Sequence, residues 1–313
     1  MTFTMSAADT LPPAATPAPS RSKLADLRAY LEMIRFSHTL FALPFALASA
    51  ALVWRVERFR WLDLVGILVC MVCARTAAMA FNRLADRRID AANPRTAMRH
   101  IPAGRLSVAA VWTFTILASV LFVAANLLFV ASNNNWLPLW LAVPVLLFLC
   151  GYSFTKRFTA LCHVWLGLSL MLAPIAVWIA VKGTVELPPV LLGLAVLCWV
   201  TGFDILYACQ DVEFDRQSGL HSIPAKVGVP AALKIAMVSH ALMLVWLVLL
   251  WYLAPLGTVW LVGVILVTAL LAYEHSLVRP DDLSRVNLAF FYVNIVISLG
   301  LFALVLVDGW VRL

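Results

Sequence analysis

The sequence predicts an all-α, polytopic membrane bundle of about nine transmembrane helices, and three observations predict it. Of 313 residues, 63% are hydrophobic and only 12% charged, with a mean hydropathy of +0.94, too apolar for a soluble globular chain. The apolar residues gather into stretches close to the ~20 residues a helix needs to cross a hydrocarbon layer. Those stretches are too long for barrel strands and do not alternate apolar with polar. Helices that satisfy their own backbone are then the remaining way through lipid.

The first twenty residues, MTFTMSAADTLPPAATPAPS, are rich in Ala, Pro, Ser and Thr and carry no Lys or Arg. They lack the basic and apolar regions of a signal peptide and read as a disordered tail, residues 1–20. Residues 21–35, RSKLADLRAYLEMIR, read as a basic amphipathic helix on the membrane surface. Residues 21–313 form a single membrane domain. Its nine apolar stretches fall near 36–54, 62–81, 106–130, 136–153, 161–181, 187–208, 231–253, 255–277 and 288–307. Asn133–Asn135 and Trp136 read as a turn with an interfacial anchor. Of the six cysteines, Cys70, Cys73, Cys150, Cys162 and Cys198 lie inside spans and Cys209 directly follows the sixth. The lone CxxC of Cys70 and Cys73 has no second pair, so these thiols read as packing groups.

Basic residues set the orientation. Seventeen Lys and Arg lie on the side of the N-terminus, five on the other, and Arg75 lies within the second span. This bias predicts a multi-pass protein of the cytoplasmic (inner) membrane, with the N-terminus and the loops after even-numbered spans in the cytoplasm. The net charge of +7 reads as topology and contact with anionic lipid. No basic patch interleaved with aromatic residues is present, so no nucleic-acid partner is expected.

The segment NRLADRRIDAANPRT, residues 82–96, gathers two aspartates and four arginines in fifteen positions of this apolar chain. Asn82, Asp86 and Asp90 are spaced i, i+4, i+8 and share one face if the second span continues as a helix. A second cluster, GFDILYACQDVEFDRQSGLHSIPAKVG, occupies residues 202–228, with Asp211 and Asp215 again four apart. Tyr207 and Asp204 lie upstream, Asp204 inside the predicted span. Both clusters combine DxxxD, an adjacent arginine and a following Ile-Pro-Ala (101–103 and 223–225), the pattern of a duplicated unit.

Carboxylates one helical turn apart repel, and four of them at the edge of a low-dielectric slab need cations. Mg²⁺ takes one or two carboxylates, retained waters and substrate phosphate oxygens in preference to a full protein cage. Two facing DxxxD pairs therefore suit a metal–diphosphate site, with Asp86, Asp90, Asp211 and Asp215 as ligands. Lys156 and Arg157, in YSFTKRFT at the same face, would grip the diphosphate. Asp204 is a functional candidate because an ionisable group within a span is costly.

These stretches resemble the two aspartate-rich signatures of the UbiA superfamily of membrane prenyltransferases. The likeness includes the YSFTKRFT loop and the nine-span count, and extends over about residues 30–307. FSHTLFALPFA (36–46) after Arg35 adds a likeness to the 4-hydroxybenzoate polyprenyltransferase-like branch. The resemblance implies transfer of a polyprenyl chain from its diphosphate to an aromatic acid, with Mg²⁺, in quinone synthesis. The acceptor it implies is 4-hydroxybenzoate or a dihydroxynaphthoate, for ubiquinone or menaquinone.

Asn82, Asp86 and Asp90 match the first motif and Asp211 and Asp215 the second, with Asp204 and Tyr207 upstream. Lys156 and Arg157 match the basic loop. Arg83 departs from the pattern, standing where the motif often has a second acid. Asp204 is then the candidate to hydrogen-bond or deprotonate the acceptor, with Arg35 and His38 as candidates for its carboxylate. His163, His240 and His275 read as span-end or packing residues. Arg75 reads as a counter-ion or as a support for the first motif.

Two other readings remain at this point. A CDP-alcohol phosphotransferase also uses aspartates and Mg²⁺, but its DGxxAR run is missing. A secondary transporter would place charges near the membrane midplane in broken helices, whereas these acids collect at one face.

Overall fold

The computed structural model describes residues 23–35, 37 and 39–311, so the N-terminal tail and His38 lie outside it. Ten helices carry the described chain: α1 (Lys23–Met33), α2 (Thr39–Val53), α3 (Trp61–Ala85), α4 (Val108–Asn133), α5 (Leu137–Thr155), α6 (Cys162–Lys182), α7 (Leu187–Ala208), α8 (Val229–Leu253), α9 (Thr258–Leu277) and α10 (Val286–Val311). Among the described residues, α3 to α10 are the eight helices long and apolar enough to cross a membrane. The first predicted span, 36–54, is the short α2, whose 15 residues reach only ~22 Å.

Burial explains that difference. Nearly every described α2 side chain is buried, Phe45, Ala46, Ser49 and Ala50 almost completely. The helix lies against α6 and α10, with α7 alongside. Its small residues let these neighbours approach, and Ser49 Oγ donates to the Pro174 carbonyl at 2.7 Å. The other inner helix is α7. Its most apolar window is 72% buried, against 17–39% in the remaining long helices. The α6–α7 crossing is tight enough that a Cβ on Gly167 would meet the Leu197 carbonyl oxygen at 2.6 Å.

The predicted surface helix 21–35 is α1, but it does not rest on lipid alone. Met33 and Ile34 are buried against Ala80, Leu84, Leu106 and Val111, and Tyr30 stacks near Phe114 with centroids 4.7 Å apart. Leu27 and Leu31 remain exposed. Tied down in this way, α1 closes one end of the bundle.

A buried polar chain braces that same end. Trp199 Nε1 donates to Asn294 Oδ1, and Asn294 Nδ2 donates to Glu274 Oε1 at 2.7 Å. The same amide reaches the Ala289 and Phe290 carbonyls of a π-turn over Ala289–Val293. Asn294 and Glu274 are both fully buried. Asn294→Leu should therefore cost about 3 kcal/mol, because it strands a buried carboxyl group and the turn carbonyls together. Thermal unfolding in detergent checks this, and a midpoint equal to the parent's would refute it.

Candidate active site

Both acidic motifs use one local device. α3 stops as Asp86 turns to φ −90°, ψ 3°. After α7, a three-residue 3₁₀ turn places Asp211 at φ −106°, ψ 6°. Each first aspartate thus sits in the sparsely populated bridge region, where active-site residues are often found. A six-residue helix follows each, Arg87–Ala92 and Val212–Gln217, with the second aspartate at its fourth position. The sequence likeness of the two segments extends to their backbones.

The break corrects one expectation. With α3 ending at Asp86, the i, i+8 row does not carry Asp90 onto the face of Asn82. Asp90 is buried and pairs with Arg99 NH1 at 2.7 Å, with Arg83 NH1 at 4.0 Å. It is not among the residues that line the cavity.

Asn82, Asp86, Lys156, Asp204, Tyr207, Asp211 and Asp215 all line one cavity of about 260 Å³. Asp86 is its best-connected acid. Lys156 Nζ lies 3.1 Å from Asp86 Oδ2, and Asn82 Nδ2 donates to the same oxygen at 3.1 Å. Arg157 approaches Asp86 Oδ1 at 3.4 Å and donates to the Ala85 carbonyl at 2.7 Å. Arg157 itself is not a lining residue and braces Asp86 from behind.

On the opposite wall, Arg95 grips Asp211 through two nitrogens, Nε donating to Oδ1 at 2.8 Å. Its NH1 donates to the Tyr207 hydroxyl at 2.9 Å, and Asn93 adds a bond to Asp211 at 3.1 Å. Burial alone would lower the Arg95 guanidinium, but Asp211 and Tyr207 outweigh it and raise the group above its ordinary range. Asp215 accepts from Ser222 Oγ at 2.8 Å, and Asp204 Oδ2 lies 2.7 Å from His163 Nδ1.

Arg35 also lines the cavity. It is a non-glycine residue at φ +47°, a left-handed conformation that costs energy and collects at functional sites. Its carbonyl accepts from Arg75 at 3.3 Å. Arg75 lines the cavity too, with a buried Nε that has no hydrogen-bond partner among the described residues.

Spacing had flagged the acids but not their partners. Asn93 and Arg95 fall inside the charged 82–96 stretch, yet nothing in the chain marks them for Asp211, more than a hundred residues away. His163 had read as a packing residue.

The donors fit a hard divalent cation shared with a ligand. Carboxylate oxygens of Asp86, Asp211 and Asp215 face one cavity, and carboxylate oxygen is the donor Mg²⁺ prefers. Among the described residues no group of three His, Cys, Asp or Glu forms a ready metal cage, so substrate oxygens would have to complete the coordination.

Comparison with known proteins agrees. The UbiA prenyltransferase family profile matches residues 42–296. A 4-hydroxybenzoate octaprenyltransferase of Xanthomonas euvesicatoria pv. vesicatoria is 32% identical over 221 residues, 70% of this chain and 71% of that protein. A protoheme IX farnesyltransferase of Thioalkalivibrio sulfidiphilus is 33% identical over 258 residues, 80% of this chain and 82% of the relative. Among solved structures, the apo UbiA homolog of Aeropyrum pernix K1 superposes with a TM-score of 0.77 at 30% identity, covering 87% of this chain and 98% of its own. The Archaeoglobus fulgidus UbiA homolog bound to GPP and Mg²⁺ shares the fold, with a TM-score of 0.66 at 20% identity over 88% of this chain and 99% of that one. The profile takes in both acidic motifs, the basic loop and all but the ends of the bundle, and the chain belongs to the UbiA prenyltransferase family.

Proposed function

We propose that this prenyltransferase moves a polyprenyl chain from its diphosphate to an aromatic acid, 4-hydroxybenzoate or a dihydroxynaphthoate, in quinone synthesis. The observation that carries the reading is the meeting of both acidic helix ends and Lys156 at a single cavity. Bound Mg²⁺ would act as a Lewis acid on the departing diphosphate. Asp86, Asp211 and Asp215 would hold it, with Asp90, off the cavity wall, supporting the first motif through Arg99. The solved relative that holds GPP and Mg²⁺ supports this assignment.

The chain's own groups follow from the chemistry. Breaking the allylic C–O bond puts negative charge on the diphosphate, and Lys156 stabilises it most as that bond opens. Asn82 would orient the diphosphate, while Arg157 keeps Asp86 in place. The allylic cation left behind is attacked by the electron-rich ring, forming a C–C bond, and the ring then loses a proton. Water must be kept out while this happens, and Phe41, Phe203, Leu166, Leu170 and Phe290 supply the apolar wall.

Asp204 would take the acceptor's hydroxyl proton in a hydrogen bond, with Tyr207 beside it. The guanidinium groups of Arg35 and Arg75 would meet the acceptor carboxylate. His38, the other candidate for that carboxylate, lies outside the described residues. The cavity mouth would open on the cytoplasmic side of the inner membrane, a reading the basic bias of the site-bearing face supports.

Family membership removes the phosphotransferase and transporter alternatives. Within the family, the similarity to a protoheme farnesyltransferase keeps a second acceptor class in view. The 260 Å³ cavity and the facing Asp204 and arginines suit a one- or two-ring hydroxy acid better than a tetrapyrrole.

One assay decides between them. Purified protein with Mg²⁺ and a radiolabelled polyprenyl diphosphate is offered 4-hydroxybenzoate, 1,4-dihydroxy-6-naphthoate and protoheme side by side. Label in either acid is expected; label only in protoheme would overturn the reading. Lys156→Ala should lower kcat and raise the KM for the diphosphate about tenfold or more, as loss of a charge-assisted contact that strengthens in the transition state does, and leave the acceptor KM near the parent value. A change confined to the acceptor KM would remove Lys156 from the diphosphate.

A further inference from the structure

Among the described histidines, His163 is the one that lines the cavity. It sits in the first turn of α6, its residue surface only 3% exposed. Nε2 accepts the backbone N–H of Ile223 at 3.3 Å. A ring nitrogen that accepts has no proton of its own, so the neutral imidazole carries its proton on Nδ1. Nδ1 therefore donates to Asp204 Oδ2, 2.7 Å away.

Two consequences follow from that tautomer. Among the described residues Asp204 receives a hydrogen bond on one oxygen, which leaves the other able to accept from a ligand. The bond also fixes which way the carboxylate faces. Asp204 remains part of the cavity wall, and among the described residues His163 is its hydrogen-bond partner.

The same turn touches the second motif. Ser222, the residue before Ile223, donates to Asp215 and accepts the Ala225 N–H as the cap of the Ile223–Val227 helix. One capped turn thus places Ser222 on Asp215 and, one residue later, sets the His163 proton that reaches Asp204.

We propose that His163 is a positioning residue that holds the Asp204 carboxylate aimed at the hydroxyl of the aromatic acceptor. This rests on the acceptor role given to Asp204 above. It assigns to the Ile223–His163–Asp204 relay the orientation of the acceptor ring, separately from the groups that handle the diphosphate. The logic is that of a buried group fixing the tautomer of the next and thereby the direction of a reactive side chain.

The test uses the purified full chain in detergent with Mg²⁺, geranyl diphosphate, and 4-hydroxybenzoate or 1,4-dihydroxy-6-naphthoate, whichever the parent converts. His163→Leu removes the donor at similar bulk, His163→Gln returns a side-chain N–H, and Asp204→Asn removes the charge that the donor serves. His163→Leu is expected to lower kcat/KM for the acceptor about thirtyfold, with the KM for geranyl diphosphate within about twofold of the parent. His163→Gln should restore most of that loss. The double variant His163→Leu/Asp204→Asn should be no slower than Asp204→Asn alone, as expected of residues acting in one chain.

Parent-like acceptor kinetics in His163→Leu, with Asp204→Asn impaired, would overturn the role of His163 and leave that of Asp204 standing. Losses that multiply in the double variant, or a loss that Gln does not restore, would also overturn it. Parent-like turnover by Asp204→Asn, or no conversion of either acid by the parent, would bring down the acceptor reading and this proposal with it.

Discussion

Asp86→Ala and Asp211→Ala should each reduce prenyl transfer about a thousandfold, while membrane-inserted protein remains at the parent level. The size follows from what the two side chains do. Each would hold the cation that neutralises the leaving diphosphate, and loss of one preorganised charge contact at a developing anion costs 10²–10³ in rate. Asp86 also gathers Lys156, Arg157 and Asn82 around its two oxygens, so its removal frees the main phosphate-facing cation as well. Asp211 holds Arg95 and Asn93 from the loop after α3. Neither residue is in the hydrophobic core, and the cations left behind, Lys156, Arg157 and Arg95, are partly exposed and can turn to water, which keeps the fold. Asp86→Asn separates charge from shape, since it keeps the side-chain size and can still bond Asn82. Steady-state transfer rates with quantified membrane protein check the prediction. Unchanged turnover in either alanine variant would remove that residue from the metal assignment.

Gly167→Val should have the largest structural effect among substitutions away from the acids. A Cβ at Gly167 would stand 2.6 Å from the Leu197 carbonyl oxygen and 2.7 Å from Thr201 Oγ1. The first of these is backbone of a buried helix and cannot swing aside. Overpacking of this kind costs roughly 1–3 kcal/mol for a single methyl, and a branched side chain exceeds that. The strain falls one helical turn from His163, at the crossing that brings α6 to α7 and His163 to Asp204. Both the unfolding midpoint and the transfer rate should therefore drop, with Gly167→Ala intermediate. Gly300→Ala, where a Cβ meets nothing within 4 Å, is the control and should fold like the parent. A Gly167→Val protein with parent stability would show that the crossing is looser than these distances imply.

Much of this architecture was legible because membrane physics constrains sequence tightly. Long apolar runs fix most span positions, and with them the exit of both aspartate motifs at the same face. Carboxylates at i, i+4 flagged both motifs before any fold existed. The misses have a common physical origin. Asp90 fell out of register because Asp86 leaves helical geometry, a decision of one residue's φ and ψ that no side-chain spacing records. Arg95 and Asp211 meet only because the loop after α3 folds across the mouth, and pairing at such separation is a property of the tertiary structure. His163 reads as packing in the sequence because a lone histidine in an apolar helix usually is packing. Its meaning comes from a turn sixty residues later that supplies the Ile223 N–H.

The short, hidden α2 and the deeply enclosed α7 have a consequence for how this protein meets different lipids. Matching hydrophobic length to bilayer thickness is a demand on helices that touch acyl chains. α2 is nearly enveloped by its neighbours, so its ~22 Å provokes no thinning around it. The outer helices can tilt to follow a thicker or thinner membrane, while the inner pair, which frames the reacting groups, stays insulated from that adjustment.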